Sequence, residues 1–255
     1  MILLELLVHI DSFAPMHLAA DWDNTGLMVG SWGAEVRKAA VTLDAVSSAV
    51  IEADNKGCNV LVCHHPLIFR PIKRIDDETE QGRTIMEAIR RNMNIIAVHT
   101  NWDVAGRGVN ETLAELLGLH DITVLDTKSG LGACGDLKKA MDLDKFMKHV
   151  KKAWGLSHLD VYGHTEKIKK VALCGGAGAE FWKLAWGEEV ADIYLTADMK
   201  YHDISDAVNE ELVIGIADHG EMERASLPSL AKEISRCGIE TVILDAQALP
   251  APARI

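Results

Sequence analysis

Three segments of this 255-residue chain place histidine and carboxylate side chains directly after short apolar runs. The six side chains are His64 and His65, His99 and Asp103, and His219 and Glu223. Imidazole nitrogens and carboxylate oxygens are the usual protein ligands of divalent transition metals. The repeated placement therefore indicates a metal centre assembled from separate segments of the chain.

Each segment also has a simpler interpretation. Residues 64–66, His-His-Pro, could form a solvated turn, and the polar groups of 99–103 could hydrogen-bond to each other without a metal. The His-x-x-x-Glu of 219–223 is a weak signal by itself, because such pairs occur by chance on acidic helices. Their common position after apolar runs favours the metal interpretation, since burying such groups together is costly unless they are paired or bind a cation.

The apolar runs alternate with helical patterns along the chain, and this alternation predicts βαβ units and parallel sheets. Side chains that follow parallel strands meet at one edge of the sheet. We predict two α/β domains with mostly parallel sheets flanked by helices, and a metal site at the cleft between them. Domain one covers residues 1–127, completed by 214–255, and domain two covers 128–213.

The proposed ligands number five and mix nitrogen with oxygen donors. They are His64, His65, Asp103, His219 and Glu223. Such a set exceeds what one catalytic zinc usually takes and suits two divalent cations that share a carboxylate. A two-metal site activates water near neutral pH and polarises a carbonyl or phosphoryl oxygen. Iron, zinc, manganese, nickel and cobalt all suit these ligands, so the native metal stays open.

Further residues could assist this chemistry. We expect His99 to support the ligands, and His99 or His202 to assist proton transfer; His202 could equally line the pocket or lie on a helix surface. Asp198 follows another apolar run and could also face the site. The glycine-rich residues 175–178 resemble a phosphate-binding loop but lack the dinucleotide fingerprint, so a tight strand-to-helix turn is the simpler interpretation.

Composition limits the partners and the compartment. Lys and Arg total 26 against 38 Asp and Glu, a formal charge of −12 that disfavours nucleic acid. A phosphorylated small molecule stays admissible because bound divalent cations would neutralise the pocket locally. The five cysteines include no C-x-x-C pair, which argues against disulfides and a cysteine zinc site. With no apolar run of membrane-spanning length and no signal peptide, we expect a cytoplasmic protein without a membrane partner.

Taken together, these motifs resemble the Nif-three-like proteins, also known as GTP cyclohydrolase 1 type 2 homologues. The resemblance covers nearly the whole chain and rests on residues 22–30 (N-x-G-L), 62–67 (HHP), 99–103 (HTNxD), 106–110 (GxN), 219–223 (GHxx[ST]E) and 243–245 (a terminal strand). It implies the same five ligands around a dinuclear site, two α/β domains with the site between them, and a toroidal homohexamer. It also implies the short form of the family, without an inserted domain.

The chain departs from the family pattern beside the ligands. Asp218 stands where the family has Gly, Met222 stands where it has Ser or Thr, and residues 196–198 read Thr-Ala-Asp instead of Thr-Gly-Glu. These departures keep the ligands but alter their surroundings.

Two functions are consistent with the sequence. The first is a dinuclear metal-dependent hydrolase acting on a nucleotide or phosphorylated small molecule, for which the resemblance suggests GTP ring opening. The alternative is a non-catalytic, hexameric metal-binding protein with a regulatory or scaffold role. Open coordination positions and a pocket that admits a substrate would favour the hydrolase.

Overall fold

The computed structural model describes residues 1–187 and 191–249. The described chain divides into two compact units. The first contains Met1–Gly106 together with the chain from Leu227 onward, and the second contains Arg107–Ser226.

The helices and strands are numbered in chain order. The helices are α1 (Leu3–Phe13), α2 (Ser47–Asn55), α3 (Glu80–Arg90), α4 (Thr100–Asp103), α5 (Val109–Leu116), α6 (Leu143–Ala153), α7 (Trp182–Gly187), α8 (Tyr201–Asn209), α9 (His219–Arg224) and α10 (Leu227–Ser235). The strands are β1 (Gly26–Val29), β2 (Ala39–Asp44), β3 (Val60–His65), β4 (Asn94–Ala97), β5 (Leu119–Val124), β6 (Ala133–Asp142), β7 (Leu159–Tyr162), β8 (Lys167–Leu173), β9 (Ile193–Thr196), β10 (Val213–Ala217) and β11 (Thr241–Ile243). Within the described residues, none of these helices combines the length and apolar character that crossing a membrane requires.

The first unit contains a sheet with the strand order β1-β4-β3-β2-β11. Strands β4, β3, β2 and β11 run parallel, and β1 pairs antiparallel with β4 at one edge. The central strands are buried along nearly their whole length, as expected for a parallel sheet covered on both faces. The parallel register brings the carboxyl ends of β2, β3 and β4 to the same edge.

Helices α2 and α3 cover one face of this sheet. Ala53 of α2 and Ile85 of α3 belong to a buried cluster that also contains Leu61 and Cys63, alternate residues of β3. Side chains two apart on a strand point to the same face, so β3 presents this pair to the helices. The α3 helix begins after Thr79, whose hydroxyl accepts a hydrogen bond from the Gly82 amide and caps the first turn.

The second unit contains a mixed sheet with the strand order β5-β6-β8-β9-β10-β7. Strands β8, β9 and β10 are parallel, whereas β5, β6 and β7 join the sheet through antiparallel pairings. The predicted class, two α/β units with sheets flanked by helices, is therefore confirmed. The first sheet is mostly parallel, and the second is parallel only at its centre.

The observed unit boundaries differ from those expected from the sequence pattern. Residues 107–127 belong to the second unit because β5 pairs with β6. Residues 214–226 belong there too, because β10 pairs with β9 and β7. The chain returns to the first unit at α10, and β11 adds to the sheet beside β2.

Candidate metal centre

Three histidine rings gather at the carboxyl edge of the first sheet. His64 and His65 end β3, and His99 follows β4 by two residues. The ring centroid of His64 lies 5.1 Å from that of His65 and 5.2 Å from that of His99. One ring nitrogen from each histidine lies within 4.8 Å of the others. Three imidazoles this close, on one sheet edge, can hold a metal ion.

The orientation of His64 is set by the backbone of the neighbouring strand connection. Its Nδ1 donates to the Val98 carbonyl at 2.9 Å, so the neutral ring carries its lone pair on Nε2. That nitrogen lies 3.6 Å from Oδ1 of Asp103, and His64 as a whole is only 1% exposed. A buried nitrogen lone pair beside a carboxylate oxygen is a donor set that a cation would satisfy.

Carboxylates orient the other two rings. Nδ1 of His65 lies 2.8 Å from Oδ1 of Asp44, the last residue of β2, and Nδ1 of His99 lies 2.8 Å from Oδ1 of Asp23. Metal-binding histidines typically engage a carboxylate or carbonyl through the second ring nitrogen in this way. Sequence reasoning missed Asp44, although the rule that located the histidines applies to it, since it also ends an apolar strand.

Several hydrogen bonds anchor Asp23 at this edge. Its Oδ2 accepts hydrogen bonds from the Thr100 amide at 3.1 Å and the Thr100 hydroxyl at 2.5 Å. Burial alone would raise the pKa of Asp23, but the hydrogen bonds from His99 and Thr100 outweigh it and lower the pKa to about 2. Asp23 is therefore ionised at neutral pH and provides a fixed negative charge behind the His99 ring.

The thiol beside the histidine pair does not join the donor set. Cys63 is completely buried, and its Sγ donates to the Ile96 carbonyl. Burial raises the pKa of the Cys63 thiol to about 12, so in the metal-free protein the thiol stays protonated at neutral pH. Among the described residues, the donor atoms that lie close together at this edge are those of histidines and carboxylates.

The second unit places another group of donors at the carboxyl edge of its own parallel strands. His219 and Glu223 lie one turn apart on α9, which follows β10, and Nε2 of His219 lies 3.1 Å from Oε2 of Glu223. Asp198 follows β9, and its Oδ2 lies 2.6 Å from Nδ1 of His219. The imidazole therefore sits between two carboxylates, one of which, Glu223, is only 4% exposed.

This arrangement attracts a positive charge. Burial opposes protonation of His219, but Glu223 and Asp198 outweigh it and raise the pKa of the imidazole to about 9. In the metal-free protein the ring takes up a proton to balance the carboxylates. A divalent cation can replace that proton, so the chemistry of this donor set fits a metal ion.

The glycine-rich segment 175–178 lies against His219 and Glu223. Gly176 has a φ of +67°, and a Cβ added there would lie 2.3 Å from Oε1 of Glu223. Close approach of the backbone to Glu223 therefore requires glycine. The Gly175 amide donates to Oδ1 of Asn110, and the Gly178 amide donates to Oγ1 of Thr196. These bonds hold a tight turn against the protein, in agreement with the simpler of the two interpretations.

Asp218 and His202, which the sequence analysis singled out, both lie in helical regions of the second unit. Asp218 caps α9, because its Oδ1 accepts a hydrogen bond from the Glu221 amide at 2.9 Å. The acidic departure from the family pattern thus has a local structural use. His202 is exposed on α8, with its ring against Tyr201. Among the described residues, the groups of His, Cys, Asp and Glu close enough to hold a cation do not include His202.

Comparison with known proteins connects this geometry to a family. The Duf34/NIF3 (NGG1p interacting factor 3) profile matches residues 1–250. The chain belongs to the Duf34/NIF3 family. A relative from Lactococcus lactis, named GTP cyclohydrolase 1 type 2 homolog, is 34% identical over 95% of each chain. A protein of the same name from Clostridium perfringens is 34% identical over 83% of this chain and 82% of its own.

Solved structures share the fold of this chain. A hypothetical protein of Staphylococcus aureus is 26% identical and superposes with a TM-score of 0.91, covering 100% of this chain and 99% of its own. A Bacillus cereus protein related to NIF3 is 25% identical, with a TM-score of 0.89, and covers 96% of this chain and 97% of its own. The resemblance inferred from the motifs is therefore confirmed.

Proposed function

We propose that this Duf34/NIF3 member is a metal-dependent hydrolase that acts on a nucleotide or phosphorylated small molecule, with a GTP cyclohydrolase 1 type 2-like reaction as the specific candidate. The observation that carries the proposal is the cluster of three imidazoles, each held by a carbonyl or carboxylate through Nδ1. This orientation prepares His64 and His65 for metal binding without rearrangement, and it holds the His99 ring beside them.

The proposed centre holds two divalent cations. Its ligands are His64, His65, Asp103, His219 and Glu223. The motifs shared with the family and the cation-attracting donor sets on each sheet edge support this assignment. When bound, the cations would supply Lewis acidity toward a phosphoryl or carbonyl oxygen and lower the pKa of water. We further propose that the chain acts in the cytoplasm as a homohexameric toroid.

The residues around the ligands have separate tasks in this proposal. The Asp23 carboxylate, ionised and with its side chain fully buried, orients the His99 ring. His99 is therefore the first candidate for proton transfer, because a buried aspartate orients a catalytic histidine in the same way elsewhere. Asp44 and Asp198 orient His65 and His219. His202 remains a second candidate for proton transfer.

The ligand assignment is tested by elemental analysis of purified variants. His65→Ala and Glu223→Ala should each lose most of the bound metal, because each removes a donor atom. His164→Ala, which changes an exposed histidine, is the matched control and should retain the parent content. Parent-level metal in both ligand variants would contradict the assignment.

The hydrolase itself is tested with metal-loaded protein, GTP and a panel of phosphoesters. Turnover should appear with at least one compound and should fall to background in His64→Ala. If turnover in the parent never exceeds that of His64→Ala while the metal stays bound, the hydrolase proposal fails and a non-catalytic metal-binding role replaces it.

A further inference from the structure

Two exposed aromatic rings stand beside the histidine cluster of the first unit. Trp22 is 63% exposed and Phe69 is 42% exposed, with ring centroids 5.9 Å apart. Each ring also makes an edge contact with His99, with centroids 6.2 Å apart. Large aromatic faces left open to solvent next to a polar site offer a stacking surface for a planar ligand group.

Hydrogen bonds hold the segments that carry these rings. The Asn24 side-chain amide, two residues after Trp22, donates to the carbonyl of Ile68 at 2.5 Å. The Gln81 side chain donates to the carbonyl of Leu67 at 2.6 Å. Both bonds anchor the backbone just before Phe69, and the first also ties it to the segment that carries Trp22. Such preorganisation lowers the entropic cost of binding.

A cavity with basic side chains adjoins Phe69. It has a volume of about 390 Å³, and its lining includes Phe69, Arg70, Lys73, Arg74 and Asp76. Arg74 is paired with Asp76 at 2.8 Å. Arg70 and Lys73 are exposed, and no ion-pair partner for either occurs within residues 1–187 and 191–249. Guanidinium and ammonium groups in this position suit phosphate oxygens.

We propose that this surface recognises a nucleoside phosphate. The rings of Trp22 and Phe69 lie at 69° to each other, so the more exposed Trp22 stacks on the face of the base and Phe69 contacts its edge, while Arg70 and Lys73 bind phosphate oxygens. Phe69 borders both the histidine cluster and the basic cavity, so a single bound molecule can contact all three features. The inference rests on the proposed function for the role of the histidines. A free nucleotide is favoured over a nucleic-acid strand, because the chain carries a net charge of −12.

Calorimetric titration of the metal-loaded protein separates the two halves of this surface. The probes are GTP, guanosine and inorganic tripolyphosphate, and the parent should bind GTP more tightly than either fragment. Trp22→Ala and Phe69→Ala should each weaken GTP binding about 10-fold, the usual scale of a lost aromatic contact with a base, and leave tripolyphosphate binding unchanged. Trp32→Ala, which changes an equally open tryptophan that is 58% exposed, is the control and should bind as the parent does.

The basic residues are tested with the same probes. The double substitution of Arg70→Ala and Lys73→Ala should weaken both GTP and tripolyphosphate and leave guanosine binding unchanged. Lys128→Ala removes an exposed charge elsewhere and should change none of the three.

The outcomes distinguish this inference from the proposed hydrolase. Turnover of a phosphoester by the parent, together with unchanged GTP binding in Trp22→Ala and Phe69→Ala, would overturn the inference and leave the hydrolase standing. Base-dependent binding that is lost in these variants, without turnover in the parent, would support the inference and overturn the hydrolase. Failure of the parent to bind GTP, or tighter binding of a single-stranded oligonucleotide than of GTP, would overturn the nucleotide assignment.

Discussion

The carboxyl edges of the two sheets present different sets of donor atoms to a cation. At the first edge, three imidazoles gather after β3 and β4, and each Nδ1 is engaged by a carbonyl or carboxylate. At the second edge, one imidazole lies between two carboxylates after β9 and β10. The first edge is thus an oriented set of nitrogen donors, whereas the second is an anionic pair that already attracts a proton.

The difference shows that the carboxyl edge of a parallel sheet can present a cation with two kinds of donor set. Parallel strands bring their ends together in both units, so chemistry at these edges follows from the fold. The first edge depends on carboxylates behind the histidines, Asp44 and Asp23. The second depends on the backbone, because Gly176 lets the chain approach Glu223.

The largest expected effect on stability comes from adding a side chain to Gly176, the residue that lies against Glu223. Gly176→Ala should lower the free energy of unfolding by more than the about 1–2 kcal/mol that a left-handed alanine costs, because its Cβ would also collide with Glu223. It should also weaken metal binding. The measurements are urea unfolding and elemental analysis.

Gly118→Ala is the matched control for this prediction. Gly118 has a φ of +71°, and a Cβ there meets nothing within 4 Å. It should show the conformational cost alone and keep the parent's metal. Equal effects of the two substitutions would mean that contact with Glu223 is unimportant.

At the first edge, metal affinity should fall when the carboxylate that orients His65 is replaced by a neutral amide. Asp44→Asn should reduce metal affinity about 10- to 100-fold, because the amide no longer fixes the His65 ring as an anionic acceptor. Competition with a chelator measures the change. Asp160→Asn disrupts another His–Asp pair, that of His158, and should leave affinity unchanged. An affinity equal to the parent's in Asp44→Asn would refute this role.

Asp198→Asn tests the anionic character of the second edge, because it removes one of the two carboxylates beside His219. Asparagine tolerates the φ of +51° at this position, so the backbone should persist. The pKa of His219 should fall from about 9 but stay above 6.5, because Glu223 remains. NMR titration of the metal-free protein follows the ring directly, and an unchanged midpoint would contradict the assignment.

The sign of the linked stability change follows from the raised pKa. Because folding raises the His219 pKa, the stabilisation from its proton is complete below about pH 6.5 and is lost as the pH rises through about 9. Asp198→Asn should therefore destabilise the metal-free protein more at pH 6 than at pH 10. Unfolding at the two pH values provides the comparison.

The smallest effect is expected from the helix cap beside the second edge. Asp218→Ala should cost about 1 kcal/mol of stability, since the Glu221 amide loses its acceptor. Metal content should stay at the parent level, because Asp218 binds the backbone. Asp218→Asn keeps an acceptor and should retain most of the stability. A loss of metal in Asp218→Ala with normal stability would give this residue a place among the ligands instead.

Secondary structure with strong apolar patterns was predictable, and weakly patterned edges were not. The apolar run at 159–162 predicts a strand that coincides with β7, and the run at 94–98 predicts one that overlaps β4. The sequence pattern does not predict β5, because most of its residues are exposed, or β6, because it begins inside the glycine-rich residues 129–136. Both strands are stabilised by backbone hydrogen bonds to neighbouring strands. Backbone pairing does not require alternating apolar side chains, so the sequence shows little strand periodicity there.

The sequence pattern of residues 221–237 predicts a single helix, but the structure divides this region into α9 and α10. The interruption lies at Ala225–Ser226, where the Ser226 amide and hydroxyl both bond to the Glu223 carbonyl. Pro228 has no amide hydrogen and cannot continue a helix from α9, but it is accepted in the first turn of α10. The proline was present in the sequence as a usable signal.

The sequence by itself determined that histidines and carboxylates follow the strands of two α/β units, because strand ends and side-chain chemistry are local features of the chain. Only the tertiary structure decided which groups serve those histidines. Asp44 lies 21 residues from His65, Asp23 lies 76 residues from His99, and Asp198 lies 21 residues from His219. The parallel sheets bring such pairs together, and no spacing rule along the chain encodes those contacts, because hydrogen bonds depend on distance in space.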